Sequence, residues 1–318
     1  MKKIFFCCLF IFGTTQLILS QTDSVKTDSL GWYRGGFTSL HFSQTGYSNW
    51  VQGGGSSLTL TAMVDLYYKF IGKNNYWENN LNLAYGLQKE SKDAKIKKNE
   101  DRLEIISTYG KKAFSKFYYS GLIDFKTQFA DGYNYPNDTV PISKFMSPGY
   151  LSAGVGLTWK PTQTFALFFS PATGRFVFVL NQSIADKGSF GGDSASYDQF
   201  GIKIQDGRRV YTQFGASMYA LFKIEAFKNV TYSSKLILFN NYTDPVASKR
   251  ANIDVDWQNA VNMKINDFLS ASVYTHLIYD DDIDVPIYEN IFGVETQTGT
   301  GKRIQFKEVI GVGFSMNF

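Results

Sequence analysis

The sequence predicts an all-β chain closed into an antiparallel transmembrane β-barrel of about twelve strands. Three observations predict it. Long stretches alternate apolar and polar residues with period two. The connections between them alternate short and long. The chain ends on a phenylalanine in register with an apolar strand face.

Composition fits that class. The 318 residues are 44% hydrophobic, 17% aromatic and 19% charged. The aromatic share is high, and the charged share is below the ~25% of ordinary soluble domains. Formal net charge is +4, of which Lys2 and Lys3 supply two. A balance this small argues against a polyanion-binding surface, and so against nucleic acid as a partner.

Residues 1–20 read as a secretory signal that is removed. Lys2 and Lys3 form the basic region, Ile4 to Phe12 the apolar core, and Ser20-Gln21 a cleavage site. The apolar core falls short of the ~20 residues that span a bilayer. Cys7 and Cys8, the only cysteines, lie inside it, so the mature chain is expected to carry no thiol, disulfide or cysteine metal site. Residues 21–30 form a short tail, and the barrel is expected over 31–318. No later apolar run is long enough for a membrane helix.

Along the chain, alternation predicts strands at 36–44, 53–71, 75–89, 100–113, 116–130, 149–160, 163–181, 209–226, 229–241, 251–265, 268–280 and 303–318. In the second, Leu58, Leu60, Ala62, Val64, Leu66, Tyr68 and Phe70 oppose Thr59, Thr61, Met63, Asp65, Tyr67 and Lys69. In the last, Phe306, Ile310, Val312, Phe314, Met316 and Phe318 oppose Gln305, Lys307, Gly311, Gly313 and Ser315. One face of each strand suits lipid, the other a polar lumen. A soluble β-sandwich also alternates. Strand length, the signal segment, the aromatic positions and Phe318 favour the membrane barrel.

Tight turns near Lys73-Asn74, Phe114-Ser115, Pro161-Thr162, Phe227-Lys228 and Asn266-Asp267 alternate with long loops near 45–52, 90–99, 131–148, 182–208, 242–250 and 281–302. An even strand count puts both termini on the short-turn side, which is periplasmic in an outer-membrane barrel. Trp32, Tyr33, Trp77, Phe114, Trp159, Phe165, Tyr232 and Phe268 suit an interfacial girdle there. Phe314, Met316 and Phe318 look like the C-terminal signal read by the barrel-assembly machinery.

One segment breaks parity. Phe165, Leu167 and Phe169 share one register, whereas Phe176, Phe178 and Leu180 have the other. The intervening Ser170-Pro171-Ala172-Thr173-Gly174-Arg175 therefore needs an extra residue, and a bulge is predicted at Pro171, Gly174 and Arg175. It is either a local kink or a device that turns Arg175 into the lumen.

The opening Gly31-Trp32-Tyr33-Arg34-Gly35-Gly36, the run Gln44 to Trp50 and Gly53-Gly54-Gly55 resemble the start of a Bacteroidetes-type family of outer-membrane proteins, catalogued only as a domain of unknown function. The Ser-Pro-Ala-Thr-Gly-Arg segment is similar to that family's mid-chain motif. The resemblance implies a cell-envelope barrel and brings no catalytic residues or cofactor with it.

Parity directs both charge signs into the lumen: Asp65, Glu78, Glu104, Asp124, Glu225, Asp254 and Asp256, with Lys69, Arg102, Lys126, Lys223, Lys235, Lys264, Arg303 and Lys307. A narrow channel for small polar solutes is the leading expectation. A plugged structural barrel or assembly partner in the envelope is the alternative. A lipid hydrolase is a further alternative, because His41 and Ser43 share a strand face two residues apart. No orienting Asn sits at a matching place, so they read better as lumen residues and no enzyme is expected.

Asp280, Asp281, Asp282 and Asp284 lack the spacing of a calcium loop and read as a solvated acidic loop. Lys92, Lys95, Lys97 and Lys98 read as a solvated basic loop that faces lipopolysaccharide. Asp23-Ser24-Val25, Asp28-Ser29-Leu30, Asp138-Thr139-Val140 and Asp193-Ser194-Ala195 fit a short O-glycosylation pattern. No cofactor or metal is expected. The expected surroundings are outer-membrane lipid and lipopolysaccharide, and the sequence does not fix an oligomeric state.

Overall fold

A computed structural model describes residues 30–45, 57–90, 95–135, 137–291 and 294–318. The signal segment, most of the N-terminal tail, two of the glycosylation motifs in whole or part, Lys92 and the loop around 46–56 lie outside the described residues.

Twelve antiparallel strands close into one barrel. They are β1 (Gly31–Thr45), β2 (Ser57–Ile71), β3 (Asn75–Glu90), β4 (Ile96–Lys112), β5 (Phe117–Thr127), β6 (Gly149–Trp159), β7 (Phe165–Phe178), β8 (Val210–Phe227), β9 (Val230–Asn241), β10 (Asp254–Lys264), β11 (Leu269–Tyr279) and β12 (Gln305–Asn317). Each pairs with its neighbours in sequence, and β12 returns to β1. Closure leaves no edge, so every backbone N–H and C=O inside lipid finds a partner.

The period-two split explains which way each side chain points. Leu40, Phe42, Leu60, Ile105, Ile123, Val155, Phe169, Phe214, Ile310 and Phe314 are large, apolar and exposed on the outer wall. Ser39, His41, Thr61, Glu104, Asp124, Ser217 and Gln258 are polar and buried in the interior. This is the inverse of a soluble protein and is stable only with lipid outside.

Rings gather at the short-turn end. Trp32 stacks on Tyr68 at 4.4 Å and also meets Phe70 and Trp77. Phe114, Phe117, Trp159 and Phe165 follow in a chain of ring contacts, and Phe222 meets Tyr232. Such rings suit the interface between headgroups and hydrocarbon.

The bulge falls in β7. Ser170 and Thr173 are both buried, three residues apart, so parity changes between them. The pairing of β7 with β6 slips between Val155 and Leu157, and with β8 between Gly215 and Ser217. Ser170 Oγ donates to Val155 O at 2.8 Å and accepts from Thr173 Oγ1 at 2.9 Å. Thr173 and Ser217 hydroxyls lie 2.7 Å apart. These hydroxyls occupy backbone groups that the slipped ladder frees.

One row interrupts the apolar exterior. Ser234, Asn259, Thr275 and Glu308 are directly opposed across β9, β10, β11 and β12. Trp257 Nε1 donates to Ser234 Oγ at 3.0 Å, and Tyr232 OH donates to Asn259 Oδ1 at 2.8 Å. Glu308 is exposed between exposed Phe306 and Ile310.

Three segments expected as plain loops carry structure of their own. Two-residue to three-residue strands pair at Gly132–Tyr133 with Pro141–Ser143 and at Ser196–Tyr197 with Lys203–Gln205, and Val285–Ile291 pairs with Val294–Gly301. The expected start of the last strand is also corrected. The strand begins at Gln305, so Arg303 sits in the exposed linker before it rather than on its lumen face. The turn from the preceding hairpin takes the residues that alternation alone had assigned to the strand.

Candidate functional site: the charged lumen

The lumen side chains meet across the barrel. β4 and β9 stand five places apart in the ring of twelve, as do β5 and β10. Yet Lys235 on β9 donates to both oxygens of Glu104 on β4, at 2.7 and 2.6 Å. Lys126 on β5 donates to Asp256 on β10 at 2.9 Å, and lies 3.4 Å from Glu104 and 3.6 Å from Asp124. Arg102 on β4 donates to Tyr274 OH on β11 at 2.9 Å and to Gln258 on β10, directly opposite in the ring, at 3.2 Å.

Further pairs surround this centre. His276 Nε2 lies 2.9 Å from Asp256. Tyr219 OH donates to Asp124 at 3.2 Å. Arg175 donates to Asp254 at 2.7 Å, with its guanidinium 3.7 Å from the Phe239 ring centroid. The bulge in β7 therefore directs Arg175 inward. Glu104 is 1% exposed, and its charge is tolerated only because Lys235 and Lys126 surround it.

Beside the charged layer, Ile106, Leu122, Phe168, Tyr219 and Ile237 form a buried apolar cluster drawn from β4, β5, β7, β8 and β9. On the other side His41 is buried with its ring against Gly311, where a Cβ would lie 3.0 Å from Nδ1. Its hydrogen-bond contacts are to Ser272 Oγ, at 3.4 and 3.5 Å, while Ser43 is exposed.

Other sequence candidates sit at the ends. Glu78 accepts from Lys160 at 2.7 Å and lies 4.0 Å from Lys69. Lys264 pairs with Asp267 in the β10–β11 turn, and Lys223 is exposed near the same end. Lys307 bonds Asn99 O at 2.9 Å and pairs with Glu100. Asp65 is half-buried. Tyr219, Gln258, Tyr274 and His276 were not singled out as site residues. They share the inward parity of the charged positions, which is the signal that admits them.

The long-loop end is bridged as well. A helical turn, Gln182–Ala185, is capped by Asn181, and its Ile184 and Ala185 pack with Val179 and Phe190. Asp186 accepts from Lys203, Gln182 and the Gly207 amide. The Lys203 hydrogen bond leads in lowering the Asp186 carboxyl from 3.8 to about 2. Gln213 donates to Asp282 at 2.7 Å, and Lys249 lies 3.1 Å from Asp281. Lys97 pairs with Glu90, Lys98 with Asp101, and Lys95 with Asp138, so the described part of the basic run is neutralised locally.

Residues 42–133 match a family described as a protein of unknown function, DUF3078, over less than a third of the chain. No curated protein matches. Among solved structures, the COG4313 outer membrane channel from Pseudomonas putida F1 is 9% identical, with 94% of this chain and 99% of that one covered and a TM-score of 0.39. The translocator domain of the autotransporter NalP from Neisseria meningitidis is 9% identical, with 93% and 91% covered and a TM-score of 0.35. The NanC porin is 9% identical, with 88% and 98% covered and a TM-score of 0.35. Likeness at this level transfers no activity. What the chain's own geometry establishes is a closed twelve-stranded antiparallel barrel, apolar outside and charged within, that spans a membrane.

Proposed function

We propose that this protein is an outer-membrane barrel whose lumen is closed at rest, a plugged envelope barrel rather than an open solute channel. One observation carries the reading: Glu104–Lys235 and Lys126–Asp256 join strands five places apart in a ring of twelve by direct contact. A water-filled pore keeps opposite walls apart. Here charged groups from opposite walls neutralise one another, and the adjoining sector is packed with apolar side chains.

Location in the outer membrane is supported by the expected signal segment, the short turns at the end where β1 begins and β12 ends, and the exposed Phe314, Met316 and Phe318. In that orientation the short turns face the periplasm, and the structured loops face lipopolysaccharide. Delivery to the membrane by the barrel-assembly machinery belongs to the same reading. No enzymatic role is proposed, since His41 faces Ser272 inside the barrel rather than the lipid.

Planar-bilayer recording of folded, inserted protein tests the closed lumen. The wild type is expected to stay silent. The Glu104→Ala/Lys235→Ala variant, which removes one cross-lumen clasp, is expected to give discrete steps. Steady conductance steps from the wild type would overturn the reading and restore the channel.

A further inference from the structure

We propose that the outer wall carries a binding groove for one anionic glycerophospholipid, with an acyl chain along β4–β6 and the headgroup phosphate on Lys111. A groove of about 690 Å³ lies on the short-turn half of the barrel, bounded by Tyr109, Tyr119, Val155, Leu157, Phe169 and Lys111.

Gly121 makes the notch. It is directly opposed to Tyr109 on one side and Val155 on the other, and the next row reads Lys111, Tyr119, Leu157, Phe169. Large outward side chains therefore surround a position with none. Neither backbone nor packing requires glycine there. Its φ is not in the left-handed region, and an added Cβ would find only Gly154 O, 3.9 Å away. Gly156 differs, since a Cβ there would lie 2.0 Å from Phe169 O. The bulge extends the notch sideways, because it leaves Pro171 and Ala172 together on the outer wall between buried Ser170 and Thr173. What the glycine at 121 leaves open is an apolar trough in the lipid-facing wall.

Lys111 gives the trough a charged end. It is exposed beside the short turn, at the level where headgroups begin, and has no ion-pair partner among the described residues. Of the cations beside it, Lys160 is held by Glu78 and Lys116 by Pro161 O, and Lys112 has the inward parity of β4, which leaves Lys111 as the cation at the rim of the trough. An ammonium held at the rim of an apolar trough recognises a phosphate tied to a hydrocarbon chain. The choice of glycerophospholipid over lipopolysaccharide rests on the periplasmic orientation proposed above. The groove itself rests on neither that orientation nor the closed lumen.

Native mass spectrometry of the full barrel in detergent, incubated with phosphatidylglycerol, phosphatidylcholine or lipid A, tests it. Wild type is expected to retain one phosphatidylglycerol and to prefer it over phosphatidylcholine. Gly121→Phe fills the trough and is expected to lower retention at least tenfold. Ala62→Phe, at an exposed lipid-facing site on β2, is expected to leave it unchanged. Lys111→Gln is expected to abolish the headgroup preference while phosphatidylcholine retention persists. Heat-modified gel mobility shows that each variant is folded. Equal retention by Gly121→Phe and Ala62→Phe, or no headgroup preference in the wild type, would overturn the proposal. Retention of lipid A in place of phosphatidylglycerol would overturn the choice of leaflet alone.

Discussion

Lys235 grips both carboxylate oxygens of Glu104 from a strand five places away around the ring, at 2.7 and 2.6 Å. Glu104 is 1% exposed, so removing Lys235 leaves a buried anion with Lys126 alone, which Asp124 and Asp256 also share. Lys235→Met is expected to destabilise the barrel by about 3–5 kcal/mol, and Glu104→Leu/Lys235→Leu to recover most of that loss. Urea unfolding in lipid vesicles, followed by tryptophan fluorescence, measures both. A single variant no worse than the double would refute the pairing.

The β7 bulge takes up one extra residue between Ser170 and Thr173. Deleting Ala172 removes the extra residue and leaves one residue against one on both flanking strands, so regular alternation keeps Thr173, Arg175 and Val177 inward and Phe176 outward. The Arg175–Asp254 pair is therefore retained. The deletion is expected to refold to a heat-modifiable species. Failure to refold would show that the bulge itself, with its Ser170–Thr173–Ser217 hydroxyl cluster, is needed to close the barrel.

Glu308 stands on the lipid-facing wall between Phe306 and Ile310. Glu308→Leu is expected to stabilise the folded barrel by on the order of 1 kcal/mol in bilayers, since acidic side chains cost less than basic ones there. The same urea titration reads it. A loss of stability would mean that Glu308 is satisfied by a contact beyond this chain.

Asp186 ties the helical turn of the long loop to Lys203 and to the Gly207 amide. Its folded pKa is depressed, from 3.8 to about 2. The stabilisation is therefore full above pH 4 and is lost as pH falls through the folded value. Hydrogen exchange in residues 182–208 is expected to quicken between about pH 4 and 2 in the wild type, relative to the intrinsic rate. Asp186→Asn is expected to show the fast behaviour at every pH. A pH-independent wild type would exclude this anchor.

Strand positions were legible because lipid on one side and polar groups on the other impose a strict period of two. Leu58 to Phe70 and Ile310 to Phe318 state it openly, and the break at Ser170 to Thr173 was visible as a change of parity. The pairing of lumen charges was not legible. Parity says that Glu104 and Lys235 point inward, but their meeting depends on how the ring is staggered and how far opposite walls approach. Two of the loop hairpins were missed because two or three paired residues carry too little alternation to read, and the third because Val294 is the one apolar residue of its second strand, Val294–Gly301. Arg303 was misplaced for a related reason, since the apolar parity of Ile304 continues past the true end of the strand.

The strands that close the ring are the first and the last, so Phe318 N and O bond Gly36 at 3.0 and 2.8 Å from opposite ends of the chain. Every other barrel rung joins strands that are neighbours in the sequence. Until β12 pairs with β1, the folding polypeptide is an open sheet with two bare margins, each able to recruit a foreign strand. Its vulnerable period therefore lasts as long as folding does and ends in one step. A chain shortened by a few C-terminal residues is expected to behave as an aggregating sheet rather than as a slightly smaller barrel.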